Sequence, residues 1–374
     1  MNNNSLSILH VSTAQSWRGG EHQLSYLASE LYNNNITQMI LCPTEAPLLA
    51  WANEKNITHR SYKKRGGFDV LGALNLKKIV HNAKINIVHV HDAHAHTMAI
   101  IATILGMNVP IIITRKVDFP IKNSFFSIYK YNHPSIKKII CVSNAIKMIC
   151  SDKIKHKNIL EVIYDGIDIK TYRNALPNFY LHNTYHLTAE HIIVANIAAI
   201  AAHKDYHTFI ETAKILYNSN KNYRFFIIGD DGGCKVEIEQ KIKHYQLENV
   251  INIVGFRNDI PSILKEINVF LFTSKTEGLG SVLLEVMSAG VNIVSTNAGG
   301  ISEILQDGVN ALLANVGDAV QLADAVHSII NDADLAKKLN VNASKKVEQF
   351  NISSMANQYI RVYDDIIKKK NKQD

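Results

Sequence analysis

Two carboxylates separated by a glycine-bearing turn are the most chemically suggestive residues in this chain of 374 amino acids. They stand in Thr276-Glu277-Gly278-Leu279-Gly280-Ser281-Val282-Leu283-Leu284-Glu285. Val282, Leu283, Val286 and Ala289 recur at helical spacing, which predicts a helix from near Ser281 after a strand at Val269–Phe272. Gly278 and Gly280 permit tight backbone, and Ser281 is a natural N-cap. The free N–H groups of a first helical turn point outward, where they can hold a phosphate. Glu285 lies four residues past Ser281, on the same face, and helical side chains lean toward the N-terminus. Two carboxylates beside a phosphate would repel it. They make sense as hydrogen-bond acceptors for hydroxyls, such as those of a sugar and a ribose. The pattern also fits a plain capped helix with one exposed and one surface-paired glutamate.

Other chemistry-bearing groups fall where strands are predicted to end. Ser16-Trp17-Arg18-Gly19-Gly20-Glu21-His22 opens a helix. There Gly20 lets backbone approach a ligand, the helix start favours an anion, and Arg18 adds charge. The G-x-G-x-x-G spacing of a dinucleotide site is missing. The run His89-Val90-His91-Asp92-Ala93-His94-Ala95-His96 suggests a metal at first sight. His89 and His91 end a strand, however, while His94 and His96 open a helix, so their directions diverge and no metal site is expected. Arg115 and Lys116 end another strand and are either surface cations or ligand contacts. His203 and Lys204 follow the strand Ile192–Ile197. Gly229-Asp230-Asp231-Gly232-Gly233 reads as a turn rather than an acidic metal loop. Lys368-Lys369-Lys370 reads as a solvated tail, with attraction to a membrane surface as the alternative.

These groups need elements to position them. Short apolar runs alternate with longer amphipathic stretches, which predicts parallel sheets covered on both faces. In the first half the strands are Ser7–Val11, Gln38–Cys42, Asn86–Val90, Ile111–Thr114, Lys138–Val142 and Glu161–Ile163. Helices are predicted near 20–33, 70–84, 93–106 and 143–151. The rhythm lapses over 173–190, read as a linker. It restarts with strands at Ile192–Ile197, Arg224–Ile228, Val250–Val254, Val269–Phe272 and Asn292–Ser295. Helices follow near 205–218, 235–246, 281–289, 299–306, 318–331 and 333–347. The predicted fold is α/β: one doubly wound, Rossmann-like domain over 1–172, a second over 191–352, and a C-terminal helix in 353–374 that packs back on the first. Such domains bind ligands at the carboxyl ends of their strands, and a cleft between the two is the expected site.

Composition sets the class. Hydrophobic residues make up 47% and charged residues 20%, which argues against disorder. No apolar run approaches the ~18 residues of a membrane span. The opening MNNNSLSILHVS lacks the basic and apolar regions of a signal peptide. Cys42, Cys141, Cys150 and Cys234 form no CxxC and no disulfide framework, which fits a reducing cytoplasm. Residues 1–175 hold 21 basic and 11 acidic side chains, and the remainder 19 and 22. A basic first half suggests an anionic partner, with compositional drift toward Lys and Asn as the plain alternative. The absence of an interleaved aromatic stripe argues against nucleic acid.

The sequence resembles the retaining glycosyltransferases of family 4 (glycosyltransferase group 1), which have the GT-B fold. Glu277 and Glu285 match the family's E-x7-E element. Phe272–Gly278 resembles its strand-Ser-x-x-Glu-Gly, Glu285–Gly290 its Glu-Ala-Met-Ala-x-Gly, and Asn297–Glu303 with Asp307-Gly308 its Gly-Gly-x-x-Glu turn and Asp-Gly. The resemblance covers nearly the whole chain. It implies that Glu277 contacts donor-sugar hydroxyls, that Glu285 contacts the ribose, and that the backbone of Leu279, Gly280, Ser281 and Val282 holds sugar and phosphates. Ala198–Asp205 occupies the place of the family's Gly-Arg-Leu-x-x-x-Lys-Gly, so Lys204 is implied to face the donor diphosphate. Ala199 stands where the family has Arg, and Asp205 where it has Gly. His203 or Arg115 is expected to make up for the absent cation. Gly20 belongs to a turn near the donor phosphate, and Phe256 and Arg257 to a loop near the nucleobase. His91 is implied to contact the acceptor, with Arg18, Arg115 and Lys116 nearby. Lys116 stands where many members have a sugar-contacting His, and the following Val-Asp-Phe-Pro resembles an envelope-polysaccharide and lipopolysaccharide subgroup.

The resemblance thus implies a retaining, metal-independent transfer from a nucleotide-sugar, most often a UDP-sugar, to a glycan or lipid-linked acceptor. No cofactor is expected beyond that co-substrate. A cytoplasmic location is expected, with peripheral attachment to the inner membrane through the basic half as an option. Two other readings stay open: a catalytically degenerate nucleotide-sugar-binding scaffold, and a nucleotide-sugar epimerase or hydrolase on the same fold.

Overall fold

A computed structural model describes residues 6–370. The expectations for residues 1–5 and 371–374 fall outside that range. Two compact units divide the chain: Met1–Gly166 with Ile352–Asp374, and Ile167–Asn351.

The first unit is built on a seven-stranded parallel sheet. Its strands are β1 (Ser7–Val11), β2 (Thr37–Pro43), β3 (His59–Tyr62), β4 (Ile87–Val90), β5 (Ile111–Arg115), β6 (Ile136–Cys141) and β7 (Leu160–Val162). Their order is β3-β2-β1-β4-β5-β6-β7. β1, β4 and β5 are buried at every position, as expected of strands covered on both faces. One face is covered by the long C-terminal helix Ile352–Lys370. Its Met355, Ala356, Tyr359, Val362, Tyr363 and Ile366 form one core with Ile8, Ile87, Ile112 and Ile140. The strand order reverses direction between β1 and β4, which opens a crevice at their carboxyl ends.

The second unit carries β8 (Ile192–Ile197), β9 (Tyr223–Ile228), β10 (Ile251–Gly255), β11 (Val269–Phe272), β12 (Asn292–Thr296) and β13 (Leu312–Ala314). Their order is β10-β9-β8-β11-β12-β13, again all parallel, with the reversal between β8 and β11. Phe209, Phe225, Tyr206 and Tyr223 fill its core from the helix Tyr206–Ser219 and from β9.

Several expectations are corrected. The first unit ends at Gly166 rather than 172, because Ile167 already donates its N–H to Phe350 O at 2.8 Å within the second unit. The segment 173–190 is not a free linker. It holds a short helix, Tyr180–Thr184, with Leu181 fully buried. Glu266, itself buried, accepts the amides of Leu181 (3.3 Å) and His182 (3.1 Å) and binds His182 Nδ1 at 2.7 Å. The helix expected over 299–306 is a 3₁₀ turn at Gly299–Glu303.

Candidate active site

The residues singled out from sequence gather at the two crevices. In the second unit, Lys204 follows β8 and Glu277 follows β11, so the loops meet where the sheet order reverses. Lys204 Nζ donates to Glu277 Oε1 at 2.5 Å, and Ser274 Oγ donates to the same oxygen at 2.6 Å. Both charged side chains are largely shielded, at 15% and 10% exposure. Thr273 Oγ1 ties the loops together by donating to the carbonyls of Lys204 and Asp205 at 3.1 Å. Lys204 Nζ also stands 5.1 Å from the centre of the Phe272 ring.

The glycine pair Gly299-Gly300 presses backbone against this turn. Gly300 N donates to Glu277 O at 2.9 Å. A Cβ at Gly299 would lie 2.2 Å from Glu277 O, and one at Gly300 2.2 Å from Gly278 O. No side chain fits there, so the pair fixes the height of the Glu277 loop.

The helix after the turn runs from Val282 to Ala289. Ser281 does not cap it as expected: it is itself in helical conformation and makes no side-chain capping bond. The amides of Leu283 and Leu284 turn back onto Gly280 O (2.9 Å) and Ser281 O (3.0 Å). The amides ahead of them, from Gly280 to Val282, are those that the helix ladder leaves to other partners. Gly280 holds φ +80° there, in the range that favours glycine. Leu279 is buried, so only its backbone can meet a ligand. Glu285 is half-buried in the first turn of this helix.

Asp205 departs from the family's glycine and still adopts the glycine-like conformation, at φ +50°. Its carboxylate accepts Thr208 Oγ1 at 2.7 Å and faces Lys275 Nζ at 3.3 Å. Ala199, in the place of the family's Arg, is half-buried in the loop whose backbone packs on Gly229. His203 has an exposed ring and accepts Lys275 N on its carbonyl at 2.8 Å. Gly229 N donates to Gly255 O at 2.9 Å, which brings the Phe256–Arg257 loop beside the same strand ends. Phe256 is 47% exposed. Arg257 pairs in two-pronged fashion with Asp259 (2.8 and 2.7 Å) and stacks 3.7 Å over the Tyr180 ring. That guanidinium holds the Asp259 carboxyl below its usual range. The Asp231 carboxylate accepts Gly233 N (2.7 Å) and Lys235 N (3.1 Å), which is the turn expected there.

In the first unit, the loops after β1 and β4 are locked together. Thr13 donates N–H and hydroxyl to Asp92, which also caps the helix Ala93–Ile104 through the amides of His94 and Ala95. Glu21 is buried and accepts Ser12 Oγ and Arg18 N, both at 3.3 Å. Burial raises its carboxyl above the usual range. Arg18 is exposed at the start of the helix Gly19–Asn33, and a Cβ on Gly20 would meet nothing within 4 Å.

The histidines sort differently from the expectation. His94 and His96 do diverge: His94 is exposed, and His96 Nε2 meets Lys130 O at 3.0 Å. His89 and His91, however, are joined by His10 from β1. His10 pairs with His89 in sheet register, and its Nδ1 lies 3.0 Å from His91 Nε2. One nitrogen from each of the three lies within 4.8 Å of the others, close enough to consider an ion. Yet both nitrogens of His89 are already used, by Tyr363 OH (2.8 Å) and Thr114 Oγ1 (2.7 Å). Sequence reasoning missed His10 because only the register of β1 against β4 brings it there.

Arg115 is not available as the replacement cation. It is buried, and its guanidinium donates to Tyr131 OH at 2.6 Å and to Phe119 O, holding the segment 117–131 in place. Lys116 donates to Asp165 Oδ1 at 2.6 Å, so its charge is matched within the unit. Lys116, Asp165, His91, Thr114 and Tyr359 line a small cavity of about 10 Å³.

Residues 17–171 match the model described as Glycosyltransferase Family 4, and residues 182–346 the model described as Glycosyl transferases group 1. The chain is 24% identical over 309 residues to the N-acetyl-alpha-D-glucosaminyl L-malate synthase of Bacillus anthracis, covering 80% of each. It is 25% identical over 320 residues to the UDP-Gal:alpha-D-GlcNAc-diphosphoundecaprenol alpha-1,3-galactosyltransferase of Escherichia coli, again 80% of each. Among solved structures, Anabaena HepE in complex with UDP and glucose superposes with a TM-score of 0.84 at 22% identity, over 96% of this chain and 99% of that one. The two adjoining family matches, with the fold shared with HepE, place this chain among the family 4, group 1 glycosyltransferases of GT-B fold.

Proposed function

We propose that this glycosyltransferase moves a sugar, with retention of configuration, from a UDP-sugar to a glycan or lipid-linked acceptor of bacterial surface polysaccharide. The observation that carries the reading is the Lys204–Glu277 contact beside the Gly280–Val282 amides at the β8/β11 reversal. An ammonium and outward amides suit a departing diphosphate, and a buried carboxylate suits sugar hydroxyls. The donor is supported by the UDP and UDP-glucose bound in HepE, and the acceptor class by the diphosphoundecaprenol named for the Escherichia coli relative.

In this scheme the acceptor oxygen bonds to the anomeric carbon on the face from which the diphosphate leaves. The carbon–oxygen bond to the phosphate breaks, its electron pair stays on the diphosphate, and the acceptor proton passes to that oxygen. Lys204 and the amides stabilise the charge, and no resident metal is invoked. Glu277 orients the sugar, Glu285 the ribose, and the Gly255–Arg257 loop the base. His91 and Lys116 belong to the acceptor side, and Arg18 and Gly20 to the opening of the first-unit crevice.

Thermal shift against UDP-, GDP- and CMP-sugars tests the donor assignment. A ligand at 100 times its dissociation constant stabilises by about 2.7 kcal/mol. The expected result is a shift with UDP-sugars that Glu285→Ala loses. A shift without turnover in an acceptor screen would favour the degenerate scaffold, which the missing cation at Ala199 keeps in view.

Peripheral attachment to an anionic membrane from the cytoplasm belongs to the same proposal. No helix among the described residues is long and apolar enough to cross a bilayer. In the first unit, Phe68 (70% exposed), Phe119 (59%) and Phe125 (87%) are uncovered, and the Phe68 and Phe126 rings lie 5.3 Å apart. Exposed Lys63, Arg65 and Lys122 flank them. Exposed apolar rings with exposed cations close by in sequence suit an anionic bilayer. Cosedimentation with phosphatidylglycerol vesicles, and loss of it in Phe125→Ser, is the expected result.

A further inference from the structure

Two neutral imidazoles facing each other at 3.0 Å must share a single proton. With none, two lone pairs repel; with two, the hydrogens collide. Between His10 Nδ1 and His91 Nε2 the proton therefore has one of two owners. If His91 owned it, His10 would accept on Nδ1 and carry its own proton on Nε2. That Nε2 is buried and has no partner among the described residues. A buried N–H without an acceptor is costly and is rarer in proteins than an unused acceptor. His10 therefore owns the shared proton, and its Nε2 is bare.

The consequence falls on His91. Its Nε2 is taken as an acceptor, so its own proton sits on Nδ1, and Nδ1–H is what it has left for a ligand. The same reasoning excludes an imidazolium at His91, since that ring would have to donate from Nε2 to His10. It also weighs against an ion. Coordination through His10 Nδ1 and His91 Nε2 would push the His10 proton onto the same enclosed Nε2. The surroundings are consistent. His10 and His89 are fully buried. His89 is held between Tyr363 OH and Thr114 Oγ1, and Thr114 Oγ1 in turn meets Tyr359 OH at 3.3 Å. Lys116 and Asp165, which line the cavity beside His91, are paired to each other. Burial pushes His10 down to about 3 and holds His91 and His89 well below the ordinary histidine value, in agreement with the geometry.

We propose that His10 is a positioning residue that locks His91 as an Nδ1-protonated hydrogen-bond donor in the first-unit crevice. His91 then donates to an oxygen of the acceptor and does not remove its proton. This use of His91 rests on the proposed function, whereas the lock itself does not.

The test is ring-nitrogen NMR of the full chain labelled with ¹⁵N-histidine, with His91 assigned by its loss in His91→Gln. The expected spectrum shows a protonated Nδ1 and an unprotonated Nε2 on His91 at pH 7, unchanged down to pH 5.5. In His10→Phe the two nitrogens move toward averaged values. His10→Asn, whose side-chain amide can donate in place of Nδ1–H, restores the split. Circular dichroism and UDP-sugar thermal shifts report whether each variant is folded. A wild-type His91 protonated on Nε2, or already averaged, overturns the proposal, as does a His10→Phe spectrum identical to wild type. Transfer assays are scored separately: their failure would remove the acceptor role of His91 and leave the nitrogen assignment standing.

Discussion

Lys204 and Glu277 pair with each other, so each variant exposes a different half of the interaction. Glu277→Gln keeps an oxygen for Lys204 and Ser274 but removes the charge. Its melting temperature is expected to stay close to wild type while kcat/KM for transfer falls about 10²-fold, the cost of losing a group that positions the substrate. Lys204→Ala strands a shielded carboxylate and is expected to lose both activity and stability, read by parallel melts and kinetics. Asp205 allows a finer test. It combines a left-handed backbone, at φ +50°, with hydrogen bonds that a glycine could not make. Asp205→Ala keeps the conformational cost and loses the bonds, so denaturant unfolding should show a loss of about 2 kcal/mol. Asp205→Gly removes both and should cost less. Equal losses would mean that the backbone angle contributes nothing.

Among elements, the strands that carry the site were the most legible. β1, β4, β5, β8 and β11 are apolar at most positions because both faces of each are covered, and such runs announce themselves. β3 did not: it is an edge strand reading His-Arg-Ser-Tyr, with two of four residues exposed. The short β13, at an edge of the other sheet, escaped because its three residues, Leu312–Ala314, are too few to set a pattern. The helix at Tyr180–Thr184 was invisible because Glu266, more than eighty residues away, satisfies its first amides. The motif residues Glu277, Glu285 and Lys204 could be named from the sequence through their match to the family's motifs. The commitment of Arg115 to Tyr131 and Phe119 could not, since it depends on where the 117–131 segment folds. Nor could the contribution of His10, which needs a neighbouring strand in register. The Gly299-Gly300 turn shows what an element boundary does for the site. Gly300→Ala places a methyl against Gly278 O and must lift the Glu277 loop or the turn. A destabilisation of about 1–3 kcal/mol is expected, with weakened UDP-sugar binding by calorimetry. Unchanged binding would show that the loop height does not matter.

At the scale of the molecule, buried histidines give the first unit an acid limit. His10 and His96 resist protonation down to about 3 in the fold, against an ordinary value of 6.5. Between those values the unfolded chain binds more protons, so stability is full above pH ~6.5 and declines as pH falls. The slope is up to about 1.4 kcal/mol per pH unit for each histidine. Melting temperatures measured from pH 8 to 5 should therefore drop steadily below 6.5, and less steeply in His96→Phe once the cost of that substitution is subtracted. A flat profile would contradict the burial argument.

The chain leaves the first unit at Gly166 and returns to it at Ile352. During synthesis the second unit is contiguous and complete by Asn351. The first is not, because one face of its sheet waits for Met355, Tyr359 and Tyr363. Each of those side chains contributes about 1.5–3 kcal/mol when buried. A ribosome thus finishes the second unit before the first can close, and the earliest-made half of the protein is the last to mature. Until the final helix emerges, the β-branched surface around Ile8, Ile87, Ile112 and Ile140 is open to any chaperone, or to another nascent chain.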